Sequence, residues 1–223
     1  MFITRTVSKL TFMCTGFGFA ALAASASFAG ENKIYLLQNS GPNAVTGNTI
    51  MIDQGAASGS LVVGSLDVGP LESRLPASQI GDGNRAEITI ADTGGTVVFN
   101  QGSTDSFQPA NNAATVNLNG FLGQAFLSQQ GAENVGALSA IGSNVFASLE
   151  QIGNRNEGSV SVNGAGARGV LRQEGDDNNL GLTVTGAGTT ATYTQVGNNL
   201  TAPSGFAQVI SNGGTVSITQ YGR

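Results

Sequence analysis

The chain has 223 residues, of which 33 are glycine, with a net charge of −5, no histidine or tryptophan, and only 10% charged residues. It therefore offers no basic surface for nucleic acid, no imidazole chemistry and, with one cysteine, no internal disulfide. The composition matches neither an ordinary globular surface nor a highly charged disordered chain.

The first 29 residues are predicted to be a signal peptide that is cleaved. Arg5 and Lys9 form its basic region, an apolar stretch covers residues 10–24, and Ser27-Phe28-Ala29 is a small-x-small cleavage site. The apolar stretch is short and has no basic flank after it, which argues against a membrane-spanning helix. We expect export, with residues 30–223 as one repeat domain.

A Gln-x-Gly-x-x-Asn motif repeats through the rest of the chain. Full copies occupy residues 79–84, 129–134, 151–156 and 173–178, and weaker copies begin at Gln38, Gln54, Gln101, Gln195 and Gln220. The commonest step between successive copies is 22 residues, and all five prolines fall in steps of other lengths. Because proline cannot donate to a β-ladder, the regular steps are predicted to be β structure.

Apolar residues alternate on both sides of each motif. The positions four and two residues before the Gln hold Ala147 and Leu149, for example, or Ile50 and Ile52 before Gln54, or Leu75 and Ala77 before Gln79. Alternation resumes after the Asn, and Gly and Asn supply the turns. One such rung cannot bury its apolar face alone. The pattern predicts an all-β fold: a β-solenoid of about eight or nine 22-residue strand-turn-strand rungs with cross-β, amyloid-like stacking.

The motif Gln and the Asn five residues later continue the inward register, where an unpartnered amide is costly to bury. Identical amides in successive rungs can hydrogen-bond as ladders, and the alternative is that they are surface turn residues. The predicted ladder residues are Gln38, Gln54, Gln79, Gln101, Gln129, Gln151, Gln173, Gln195, Gln220, Asn43, Asn84, Asn134, Asn156 and Asn178. The predicted turn glycines are Gly81, Gly131, Gly153, Gly175 and Gly197.

No group of residues indicates catalysis. Carboxylates such as Asp176 and Asp177, or Glu133 and Glu150, fall in turns or at outward positions, which is typical of a solvated face rather than of an acid/base pair or a calcium site. A β-helical polysaccharide lyase would need long loops carrying bases and cations, whereas these turns are short and the arginines are scattered. We expect no catalytic residues, no metal, no cofactor and no enzymatic activity.

With these rungs laid out, the chain resembles the curlin family, the subunits of bacterial curli amyloid fibres, whose repeats follow Ser-x5-Gln-x-Gly-x-Gly-Asn-x-Ala-x3-Gln. The best match is residues 79–86, and the resemblance covers about residues 34 to 223. The second family Gln is replaced by Ile90, Ala140, Val162 and Val184, and the family Ser is largely missing. The chain therefore resembles a divergent member.

The resemblance implies a secreted structural subunit of a bacterium with an outer membrane. Such subunits self-assemble into extracellular amyloid fibres that support the biofilm matrix and surface adhesion. The implied partners are further copies of the chain in a head-to-tail homopolymer, other curlin-type subunits or a nucleator, and the outer-membrane secretion machinery. Open β-edges at both ends of a solenoid favour the same head-to-tail addition. Two alternatives are a soluble solenoid adhesin or other surface binder, and a β-helical polysaccharide-active enzyme.

Overall fold

The computed structural model describes the backbone of residues 9–13, 20–28, 30–40, 47–66, 75–91, 93–103 and 109–222. These residues form 18 β-strands and no helix. In chain order the strands are β1 (Lys9–Met13), β2 (Ala20–Phe28), β3 (Gly30–Asn39), β4 (Thr49–Asp53), β5 (Leu61–Val63), β6 (Ala77–Ile80), β7 (Arg85–Ile90), β8 (Thr96–Gly102), β9 (Ala113–Leu118), β10 (Gln124–Gln130), β11 (Val135–Ile141), β12 (Phe146–Ile152), β13 (Glu157–Asn163), β14 (Arg168–Glu174), β15 (Asn179–Thr185), β16 (Thr190–Val196), β17 (Thr201–Ile210) and β18 (Thr215–Tyr221).

The strands alternate between two sheets as the chain winds. The first sheet has the order β1-β4-β7-β9-β11-β13-β15-β17, and the second has the order β18-β16-β14-β12-β10-β8-β5-β3-β2, with β6 pairing with β3 and β8. From β7 onward all pairs are parallel, and in the second sheet Gln129, Gln151 and Gln173 lie directly opposite one another at steps of 22 residues. The predicted β-solenoid is confirmed.

Alternation within each strand builds the core between the two sheets. In β12 the side chains of Ala147, Leu149 and Gln151 are buried, while the residues between them are partly exposed. Burying a leucine such as Leu149 contributes about 1.5–3 kcal/mol. A Cβ added to Gly158 on the facing strand would lie 2.8 Å from both Leu149 and Gln173, so glycine there leaves room for the long amide side chain.

The first rung differs from the prediction at Gln54. Strand β4 lies in the first sheet, where Ile50 and Ile52 pair with Ala86 and Ile88 of β7, so these two residues follow a motif instead of preceding one. Gln54 is buried at the end of that strand and donates from Nε2 to Ser60 Oγ at 2.7 Å. The apolar alternation is the same before and after a motif, and it therefore could not indicate which sheet β4 would join.

The next rung is split. Strands β5 and β6 share one layer of the second sheet, β5 pairing with residues 61–63's neighbours in β3 and β8, and β6 with the ends of the same two strands. Val62, fully buried between Ile34 and Val97, fills the position predicted for Leu75, which is 62% exposed. Residues 67–74, including Pro70, lie outside the described residues.

Two strands lie within the predicted signal peptide. Strand β1 pairs antiparallel with β4, and β2 pairs antiparallel with β3, so in the uncleaved chain they cover the edges of the first rung. Cleavage after residue 29 stays a prediction. Within the described ranges there is no helix of the length and apolar character needed to cross a membrane.

Candidate assembly interface

Eight glutamines form one continuous ladder through the second sheet. Each Nε2 donates to the Oε1 of the next glutamine toward the C-terminus, over distances from 2.6 to 3.1 Å. The members are Gln38, Gln79, Gln101, Gln129, Gln151, Gln173, Gln195 and Gln220. Seven of them are at most 2% exposed, and Gln220, in the last strand, is half-buried. The ladder thus joins every described rung.

Further bonds satisfy the rest of each buried amide. Gln151 Nε2 also donates to the carbonyl oxygens of Val135 and Asn156, both at 3.0 Å. The bond to Val135 recurs in the neighbouring rungs, where Gln129 and Gln173 each donate to the carbonyl sixteen residues earlier. Leaving such a group unpaired would cost about 1–3 kcal/mol. The polar ladder is therefore compatible with an otherwise apolar interior.

An asparagine ladder runs along the corner where the motif turns into the first sheet. Asn156 Nδ2 donates to Asn134 Oδ1 at 3.1 Å and to the carbonyl of Gly175 at 2.7 Å, so one side chain bridges three rungs. The side-chain amide bonds link Asn48, Asn84, Asn112, Asn134 and Asn156, and Asn178 continues the series through its backbone N–H. These bonds point toward the N-terminus, opposite to the glutamine ladder.

The ladder membership differs from the predicted one in four residues. Gln54 is not a member, and Asn43 lies outside the described residues. Asn48 and Asn112 are fully buried members that were not predicted. Both lie farther than five residues from their glutamine, but each directly precedes an alternating apolar strand. Counting backward from the following strand would have identified them.

The turn glycines adopt a backbone conformation that other residues rarely reach. Gly81, Gly131, Gly153, Gly175 and Gly197 have φ between 91° and 130°. A Cβ added to Gly153 would meet the carbonyl oxygen of Gly175 in the next rung. Two residues later the chain is again left-handed, at φ 60° for Glu133, although that residue is not glycine. The sharp turn of each motif thus requires both its glycine and the strained residue after it.

Charges on the turns pair between neighbouring rungs. Arg155 Nε and Asp177 Oδ1 are 2.7 Å apart, and both side chains are more than a third exposed. The hydrogen bond from Arg155, together with its charge, lowers the pKa of the Asp177 carboxyl, and the same contact raises the pKa of Arg155. The described residues contain no cluster of three or more His, Cys, Asp or Glu side chains that could hold a metal ion. The turn charges act on one another.

The rungs with the highest numbers leave two strand edges without a described partner. Strand β17 pairs with β15, and β18 pairs with β16. Gly222 N–H donates to the Val196 carbonyl, and the Gly214 carbonyl accepts from Thr190, so the even-numbered residues of β18 pair with β16. Because successive residues of a strand address opposite neighbours, the odd-numbered residues from Thr215 to Tyr221 direct their N–H and C=O groups to the open edge.

Comparison of the chain with protein-family models, with curated proteins and with solved structures gives no match. What bears on function is therefore the geometry of the rungs, their ladders and their open edge, together with the resemblance of the repeat.

Proposed function

We propose that the chain is a secreted, non-enzymatic structural subunit that assembles head to tail into extracellular curli-type amyloid fibres. In such fibres it supports the biofilm matrix and surface adhesion, alongside other curlin-type subunits or a nucleator and after passage through an outer-membrane secretion machinery. The observation that carries the proposal is the open parallel edge of β17 and β18, which presents the same register and ladder as every internal rung.

The glutamine ladder gives this edge a polarity. Gln220 accepts from Gln195 at 3.1 Å, and its own Nε2 has a contact of 3.5 Å with the Thr201 carbonyl. The next glutamine in an incoming copy would accept from Gln220 as each internal glutamine accepts from its predecessor. An exposed parallel edge is a template for such addition.

The predicted signal peptide would restrict growth at the other end. Strands β1 and β2 pair antiparallel along β4 and β3, where an incoming copy would have to pair in parallel. Removal of residues 1–29 would expose both edges. Growth at both ends is then a property of the cleaved chain.

The first test is assembly of residues 30–223 after dilution from denaturant. We expect fibres with a meridional reflection at about 4.8 Å, the spacing between paired strands. A stable monomer under these conditions would contradict the proposal and favour the alternative of an adhesin that acts as single copies.

A proline variant tests the edge itself. Ser217 lies at an odd-numbered, exposed position of β18, so Ser217→Pro removes an N–H that addresses the open edge and no bond to β16. We expect the variant to fold and to stop wild-type fibres from elongating when it is added in small amounts, because an added copy offers a defective edge.

The matched control is Ile218→Pro, one residue later. Its N–H addresses β16 and its side chain packs against the core, so this variant should lose about 3 kcal/mol or more of stability. Undiminished elongation in the presence of equimolar Ser217→Pro would show that growth does not use this edge.

A further inference from the structure

A register shift opens a groove on the outer face of the first sheet. Thr201 of β17 pairs with Asn179 of β15, but the next pair is Phe206 with Gly181, so extra residues of β17 loop out between them. The groove beside this loop spans β13, β15 and β17 and has a volume of about 370 Å³. That volume lies within the range of small-molecule clefts, roughly 300–1,000 Å³.

An exposed aromatic ring lies at one side of the groove. Phe206 is 51% exposed, and it is the only large apolar side chain lining the groove that is exposed, since Leu180 and Leu182 are buried beneath. A Cβ on Gly181 would lie 2.7 Å from the Phe206 Cβ, so glycine allows the phenylalanine to lie close and keeps the floor flat. The ring can therefore serve as a stacking surface.

The opposite side carries hydrogen-bonding groups. Asn179 Nδ2 donates to Glu157 Oε2 at 2.9 Å, which orients the carboxylate and leaves its other oxygen outside that bond. Ser159 and Thr183 add hydroxyl groups along the same face. A carboxylate and an amide oxygen accept hydrogen bonds, and the hydroxyls can donate or accept.

We propose that this groove binds a neutral oligosaccharide. The apolar C–H face of a pyranose ring would stack on Phe206, while its hydroxyls would donate to Glu157 and Asn179. No basic side chain lines the groove, and the carboxylate would repel phosphate, sulfate and uronate groups, so the ligand is uncharged.

Two other occupants fit these observations less well. An extended peptide could not add to the sheet here, because β13 and β15 are paired on both sides. A second copy of the chain would find one exposed apolar side chain, whereas stable protein interfaces bury about 1,200–2,000 Å² in total. The proposal goes beyond assembly and does not depend on it.

Calorimetric titration of the full-length protein tests the groove. The neutral probes are cellohexaose, mannohexaose and chitohexaose, and the anionic probe is hexagalacturonate. We expect at least one neutral probe to bind and hexagalacturonate not to bind. Phe206→Ala should weaken that binding about tenfold or more, Phe206→Tyr should retain it, and Glu157→Gln, at an exposed position, should weaken it about threefold.

The matched control is Phe121→Ala, because Phe121 is 49% exposed but lies in a turn away from the groove. Binding by none of the neutral probes, equal loss in Phe206→Ala and Phe121→Ala, or equally tight binding of hexagalacturonate would each overturn the proposal. Fibre growth and the urea midpoint are measured on the same variants. Loss of sugar binding with normal fibres refutes this inference alone, and failure of wild-type fibres with Phe206-dependent binding refutes the assembly proposal alone.

Discussion

The glutamine ladder predicts a large loss of stability on removal of one internal member. Gln151 is fully buried, accepts from Gln129 Nε2 at 2.8 Å and donates to Gln173 Oε1 at 2.9 Å. Gln151→Leu fills a similar volume but removes these bonds and the two donations to backbone carbonyls.

The magnitude follows from the groups left behind. Gln129 Nε2 keeps its bond to the Ala113 carbonyl, and the Asn156 carbonyl keeps the Val135 N–H, so both remain partly paired. Gln173 Oε1 loses the donor that binds it, which costs about 1–3 kcal/mol. With the other lost bonds, and with the gain from burying leucine, we expect a net loss of about 2–4 kcal/mol.

Urea unfolding of the monomer, followed by far-UV circular dichroism at low concentration, measures the change. The control is Gln130→Leu, because Gln130 is the outward-facing neighbour of a ladder residue and should shift the free energy of unfolding by no more than about 0.5 kcal/mol. A stable Gln151→Leu variant, or equal losses in the two variants, would show that the ladder does not hold the rungs together.

Two backbone predictions concern the turns. Gly153→Ala should cost about 3–5 kcal/mol in thermal unfolding, because it combines an unfavourable φ of 116° with a collision against the next rung, whereas Gly213→Ala, at φ 79° with open space around it, should cost about 1–2 kcal/mol. Similar losses in both would remove the collision from the explanation. Glu133→Gly should raise the free energy of unfolding by up to about 1 kcal/mol, because it relieves a left-handed residue, while Glu87→Gly in strand β7 should lower it by about 0.5–1 kcal/mol. A loss of stability in Glu133→Gly would contradict this account of the turn.

The regular rungs could be derived from the sequence because one physical requirement acts on every position. From Gln79 onward, the motif, the alternation and the prolines all indicate the same strands and turns, and the structure has those strands. Sequence periodicity also placed Gln151 and its equivalents on the buried side. These features are local or repeat at a fixed spacing, so a single chain is sufficient to read them.

The first rung could not be derived in this way. Ile50 and Ile52 followed by Gln54 satisfy the apolar pattern of either sheet, and only the pairing of β4 with β7 decides between them. Val62 could not be placed beside Ile34 from spacing, because an excursion of the chain separates β5 from the glutamine that ends its layer. Pairing partners across an insertion are a tertiary property.

The groove was likewise outside the reach of the sequence. Phe206 and Gly181 are 25 residues apart, which is not the regular step, and they meet because the extra residues of β17 are accommodated before Phe206 and not after it. Composition contains no signal for where a strand absorbs an insertion.

The opposed directions of the two amide ladders affect how far the rod can grow. In an α-helix aligned peptide dipoles add into a macrodipole with partial charges at the two ends. Here the glutamine side-chain dipoles run one way along the axis and the asparagine dipoles run the other way, so their fields largely cancel. The electrostatic cost of adding a rung therefore does not accumulate with length, and the rod has no intrinsic limit of this kind on its extension.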